Sequence, residues 1–146
     1  PGWFGHDAPF AFEDTYRPAQ GILRFASGTT NILSMKALHG ALEVFEQFPI
    51  SAIRAGSIAL GDFLIAGFDE HLSASGFSLD SPRNSADRGG HIALLHDRAE
   101  ALTAELIGDG FIVDFRPPNV IRIALSPLFL RFNDIAALIG RLHGAL

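Results

Sequence analysis

The sequence predicts an α+β domain, with helices on one face of a small, mostly antiparallel sheet. Apolar residues recur at helical spacing between about residues 32 and 72 and again after residue 133. Between these stretches lie short apolar runs separated by Gly, Pro and Asp turns, the pattern of brief strands. At 146 residues the chain is long enough to bury a core. The predicted order is α-α-β-β-α-β-β-α.

Residues 1–20 are rich in Pro, Phe and Asp without sustained period, so they read as irregular backbone. Residues 21–26 (GILRFA) read as a short strand and residues 27–30 as a turn. Ile32, Met35, Leu38, Leu42 and Phe45 then form a helical stripe, with Thr or Asn at the N-cap and Pro49 as the stop. A second helix is predicted from about Ser51 to Ser73, striped by Ile53, Leu60, Gly61, Leu64, Ile65, Phe68 and Leu72, with Gly76 beyond its end. Gly56, Gly61 and Gly67 within it point to close helix packing rather than phosphate binding.

Residues 77–80 alternate like a strand edge, and 81–90 form a polar loop. Residues 91–95 (HIALL) read as a strand. Asp97 and Glu100 have capping-box spacing and open a third helix to about Ile107, stopped by Gly108 and Gly110. Residues 111–115 and 120–125 read as two strands around the turn Arg116-Pro117-Pro118-Asn119. From Asn133 a last helix carries Ile135, Leu138, Ile139, Leu142 and Leu146 on one face. There is no internal repeat.

Composition narrows the function. A net charge of −5 with scattered basic residues gives no nucleic-acid surface. Without cysteine there is no disulfide, thiolate metal site or cysteine nucleophile in these residues. The longest apolar run, residues 58–68, is broken by Asp62, so no membrane span is expected; the setting expected is cytoplasmic. A hydrophobic fraction of 48% and mean hydropathy of +0.25 imply a rich core or apolar surface meant for other protein. Pro1 in place of an initiator Met, with Trp3 beside it, raises the expectation of a cut edge of something longer.

Local chemistry alone names no reaction. Six histidines invite a metal, but His91 and His96 are five apart across a strand end and face opposite sides. His39 and Glu43 share a helix face, too few ligands for a site. There is no G-x-S-x-G, Walker A or G-x-G-x-x-G motif. Lys36, the only lysine, lies on an ordinary helix and reads as solvated.

A family resemblance carries further. Gly2-Trp3-Phe4-Gly5-His6, then Phe10 and Phe12, then Gly21 to Thr29 leading into Ile32-Leu33, resembles the C-terminal third of kynureninase. Downstream, Asp87-Arg88-Gly89-Gly90-His91 is similar to that family's Arg-Gly turn into a strand. Asp114, Arg116, Pro118 and Arg122 match its Asp-x-Arg-x-Pro-x-x-x-Arg segment, and residues 126–132 its Pro-Leu-Tyr-like stretch.

The resemblance implies a fold-type I, pyridoxal 5'-phosphate-dependent enzyme related to class V aminotransferases. Residues 1–30 would be the tail of the large domain and 31–146 the C-terminal small domain. It implies cleavage of L-kynurenine, or 3-hydroxykynurenine, in a homodimer whose sites are shared between subunits. The lysine that anchors the cofactor would lie upstream of residue 1, leaving no catalytic residue here. Trp3 and Thr29 would meet the cofactor phosphate, Thr29 from the neighbouring subunit, and Arg122 would hold the substrate α-carboxylate. Thr30-Asn31 departs from the Pro-Pro of many members, which loosens the turn carrying Thr29. Taken singly, Trp3 is also packing, Thr29 an N-cap and Arg122 an ion pair with Asp114. The alternatives are a related enzyme of the same fold, against whose desulfurase branch the missing cysteine counts, and a stand-alone domain acting by association.

Overall fold

A computed structural model describes residues 2–145. The chain forms two compact units, Pro1–Gln47 and Phe48–Leu146.

In the first unit the backbone from Gly2 to Gly5 lies directly on the segment from Arg24 to Ser27. A Cβ built on Gly2 would fall 2.0 Å from Ser27 Cα, and one on Gly5 would fall 2.5 Å from Arg24 O. Only glycine allows that approach. The Gly5 carbonyl accepts from Ala19 N–H at 2.8 Å and from the Tyr16 hydroxyl at 2.9 Å. The strand expected at 21–26 is a 3-10 helix, Gly21–Phe25. Gly21 enters it at φ +60, and among the described residues of the unit no strand offers a ladder to pair with. Alternation of apolar residues does not make a strand without a partner.

Helix α1, Ile32–Gln47, starts where the Asn31 side chain accepts from Ser34 N–H at 3.1 Å. Asn31 is thus the cap, and Thr29 is not. The predicted stripe exists but is not covered: Ile32, Met35, Leu38, Leu42 and Phe45 are each about half exposed or more, and α1 buries no residue.

The second unit holds the core. Helix α2, Ile50–Gly67, continues through a π-helical turn, Phe68–Leu72, and buries Leu60, Leu64, Ile65, Phe68 and Leu72. The stretch Ile50–Leu72 is long and apolar enough to cross a membrane by length and composition, contrary to the sequence expectation. Its buried stripe nevertheless belongs to the core of this unit. Gly76, at φ +84, turns the chain into β1, Ser78–Leu79.

The sheet runs β1-β2-β4-β3, all antiparallel, with β2 at His91–Leu95, β3 at Asp114–Arg116 and β4 at Val120–Ala124. Ile92 pairs with Ile123 and Leu94 with Ile121, which puts four fully buried or nearly buried residues on one face. Helix α3, Ala99–Gly108, adds Leu102 and Leu106, and α4, Phe132–Gly144, adds Ile135, Leu138, Ile139 and Leu142. Leu146, expected on the same stripe, lies outside the described residues.

Gly67 is where α2 meets α4. A Cβ there would come 2.3 Å from Ile139 Cδ1. Gly56 faces Pro127 and Gly61 faces Arg88 and Leu125, all outside helices, so close helix packing holds at Gly67 and not at the other two, which lie close to loop residues instead.

Two further expectations are corrected. Asp97 does not cap α3; the N-cap is Arg98, with no side-chain cap bond. His96 does that work instead, its carbonyl accepting from Ala99 N–H and its Nδ1 from Arg98 N–H, each at 3.0 Å. The strand expected at 111–115 is only β3, because Phe111 N–H is spent on Leu106 O in closing the end of α3, where Gly110 sits at φ +90.

Candidate functional site

Trp3 lies in a 3-10 turn, Trp3–Gly5, pinned by the glycine contacts with residues 24–27. Its ring touches Phe4 at 4.2 Å and Phe10 at 5.6 Å between centroids, both edge-on, yet it stays 50% exposed. No hydrogen bond from its indole N–H occurs among the described residues. A Cβ built on Gly28 would lie 3.9 Å from Trp3 Nε1, so the indole edge faces the turn that carries Thr29. Thr29 is exposed and lines a cavity of about 450 Å³ with Phe4, His6 and Ile32. The indole N–H and the Thr29 hydroxyl, neither with a hydrogen-bond partner among the described residues, are each the kind of donor that suits an anionic oxygen. His6 is not part of that donor set: its Nδ1 accepts from Ala8 N–H and its Nε2 meets Thr15 O.

Arg122 belongs to the second unit. It lies in β4 between buried Ile121 and Ile123, so its side chain leaves from the opposite face of the sheet. Asp114 is its register partner on β3, and the Asp114 carboxylate accepts from Arg122 Nη2. Arg116, two residues along β3 and hence on the same face, donates to the same Asp114 oxygen from Nε at 3.0 Å. Partial desolvation pushes the Asp114 carboxyl up, but the Arg122 hydrogen bond and the charges of Arg116 and Arg122 outweigh it and hold it below the usual carboxylate range. The Arg122 side chain remains 39% exposed. Asp114 engages a single Nη2 hydrogen, so one two-donor edge of the guanidinium, made by the other Nη2 hydrogen with Nε or Nη1, is left for a second carboxylate.

The sequence alone gave no role to Arg54, Asp62 or the Arg88 side chain. Arg88, 2% exposed at its side chain, donates to the carbonyls of Pro82 and Arg83 and to Asp62 of α2. Arg54 of α2 donates to the carbonyls of Ser85 and Arg88. Together they fasten loop 81–90 to α2 and so fix the entry to β2. An arginine beside glycines in a polar loop was the visible signal; which carbonyls it would satisfy was not. Among the described residues no group of three or more His, Asp or Glu side chains is placed to hold a metal ion.

Comparison with known proteins agrees with this architecture. Structures of fold-type I pyridoxal-phosphate enzymes share the fold. The cystine C–S lyase C-DES, in complex with its reaction product cysteine persulfide, superimposes with a TM-score of 0.77 at 19% identity, covering 97% of this chain and 37% of that one. A second C-DES structure, with glycine covalently linked to the PLP cofactor, gives 0.74 at 20% identity, covering 97% of this chain and 36% of that one. Cysteine desulfurase from Thermococcus onnurineus gives 0.73 at 18% identity, covering 91% of this chain and 36% of that one.

In sequence, the chain is 36% identical over 134 residues to kynureninase of Pseudomonas fluorescens, covering 92% of this chain and 32% of that protein. It is 34% identical over 145 residues to kynureninase of Deinococcus radiodurans, covering 99% of this chain and 35% of that protein. The chain thus spans about a third of the length of these relatives. Residues 53–142, which hold most of α2, the whole sheet and most of α4, match the family model of the kynureninase C-terminal domain, and the chain belongs to that family.

Proposed function

We propose that this chain is the C-terminal part of a kynureninase that hydrolyses L-kynurenine, or 3-hydroxykynurenine, to anthranilate, or 3-hydroxyanthranilate, and L-alanine. The family match over residues 53–142 carries the reading. Pyridoxal 5'-phosphate, when bound, supplies the electron sink for cleavage of the β,γ bond. The residues described here bind and orient. Trp3 and Thr29 would donate to the cofactor phosphate through the indole N–H and the hydroxyl. Arg122 would take the substrate α-carboxylate on the donors that Asp114 leaves free, fixing the α-carbon for reaction. Residues 1–30 would close the large domain and 31–146 form the small domain. The uncovered apolar stripe of α1 fits a chain that meets further protein, in a cytoplasmic homodimer whose sites are shared between subunits.

The structural neighbours favour one second reading, a carbon–sulfur enzyme of the same fold. The absence of cysteine from these residues weighs against its desulfurase branch.

The test is an assay of the full-length protein, with added cofactor, for anthranilate release from L-kynurenine, run beside sulfide release from L-cysteine. Anthranilate release with no sulfide is expected. Sulfide release alone would replace this reading with the second. The 146-residue chain by itself should be inactive, because the cofactor lysine would lie outside it. Turnover by the isolated chain, with borohydride trapping the cofactor on Lys36, would overturn that.

A further inference from the structure

The open face of the sheet carries an unequal count of charges. Asp114 is met by two guanidiniums on one oxygen: Arg116 Nε at 3.0 Å and Nη2 at 2.9 Å, and Arg122 Nη2. Two positive groups share one negative group, so the trio has a formal charge of +1. A lone Asp114–Arg122 pair would be neutral, and Arg122 would then present donors but no net charge to an incoming anion. The arrangement follows from local geometry. Asp114 and Arg116 are two apart on β3 and so share a face, and Asp114 stands opposite Arg122 in the β3–β4 register. All three side chains are between 39% and 57% exposed, and no other ion pair among the described residues involves any of them.

We infer that Arg116 is a positioning residue for carboxylate binding: by pairing with Asp114 it cancels the charge that would otherwise neutralise Arg122. It need not touch the substrate. This inference rests on the proposed role of Arg122 and adds to it a residue that acts through Asp114.

The experiment counts charges. In the full-length protein, Arg116→Gln leaves Asp114 and Arg122 as a neutral pair. KM for L-kynurenine should rise about three- to tenfold at low ionic strength, with kcat within about twofold. The calorimetric Kd for the product L-alanine should rise in parallel. Both effects should shrink as salt is added, because the lost interaction is between partly exposed charges. The double variant Asp114→Asn/Arg116→Gln restores +1 and should return both constants to within about twofold of the parent. Rescue is the outcome that a packing role for Arg116 cannot give.

Unchanged KM and Kd in Arg116→Gln overturn the inference, as does a rise that the double variant fails to reverse. Arg122→Lys, assayed alongside, separates the two levels. If it is impaired while Arg116→Gln is silent, only this inference falls. If Arg122→Lys is itself silent, the carboxylate role of Arg122 falls with it. Arg116 is exposed on an edge strand, so circular dichroism should show all these variants folded.

Discussion

Asp114 stands directly across the β3–β4 ladder from Arg122, and its carboxylate accepts from one nitrogen of that guanidinium, while the other two have no partner among the described residues. The ion pair foreseen as the plain alternative for Arg122 is therefore present, and it is compatible with a binding role, because a guanidinium carries donors for two carboxylates. Substitution at Arg122 decides between the two. Lysine keeps the charge but loses the fork, so Arg122→Lys in the full-length protein should lower kcat/KM for L-kynurenine by about 2–4 kcal/mol. Cofactor affinity, followed by absorbance, should barely change. Near-normal kcat/KM in both Arg122→Lys and Arg122→Ala would leave Arg122 as an ion pair of the sheet face.

The same pair makes a pH prediction. The Asp114 carboxyl is held below the usual range in the folded state, so its contribution to stability is present above the unfolded pKa of about 3.9 and is lost as pH falls through the folded value. The difference in melting temperature between the parent chain and Asp114→Asn should therefore be largest near pH 5–6 and narrow towards pH 2. A difference that stays constant across that range would show that the carboxyl is not depressed. The variant keeps some acid sensitivity, because Arg83 lowers Asp69 and Arg17 lowers Glu13, in each case mainly through a side-chain hydrogen bond.

Gly67 sets the contact between α2 and α4. A methyl there meets Ile139 Cδ1 at 2.3 Å, while Cγ1 and Cγ2 lie farther off at 3.2 and 3.5 Å. Gly67→Ala should destabilise the second unit by about 1–3 kcal/mol through overpacking. Ile139→Val removes the offending Cδ1, so the double variant should be more stable than Gly67→Ala alone. Urea titration of the three variants reads this; additive losses would place the strain elsewhere.

Thr29 tests the shared site. In the proposed homodimer it reaches the cofactor phosphate of the neighbouring subunit. A Thr29→Ala protein mixed with a protein lacking the cofactor lysine should then regain about a quarter of the parental sites by random exchange. No recovery despite demonstrated exchange would mean that each site is built from one chain.

The apolar periods of the chain determined the helices of the second unit and where its strands fall along the chain. Ile92 and Leu94, and Ile121 and Ile123, alternate so regularly that a one-residue slip would put them in water, and the α4 stripe repeats at helical spacing. The family was legible too, because the motifs around Trp3, Thr29 and Arg122 stand in order along the chain. Three things belonged to the tertiary structure alone. Residues 21–25 coil into a 3-10 helix because a strand needs a neighbour, and propensity does not supply one. His96 caps α3 in place of Asp97 because it follows directly on the end of β2, with its ring packed against Phe77 at 4.4 Å between centres and a tilt of 38°, and its Nδ1 accepting from Arg98 N–H. The +1 charge around Arg122 exists because two strands pair in one register, which brings Asp114, Arg116 and Arg122 to one oxygen; pairing across a turn is a property of the folded sheet, and spacing along the chain does not record it.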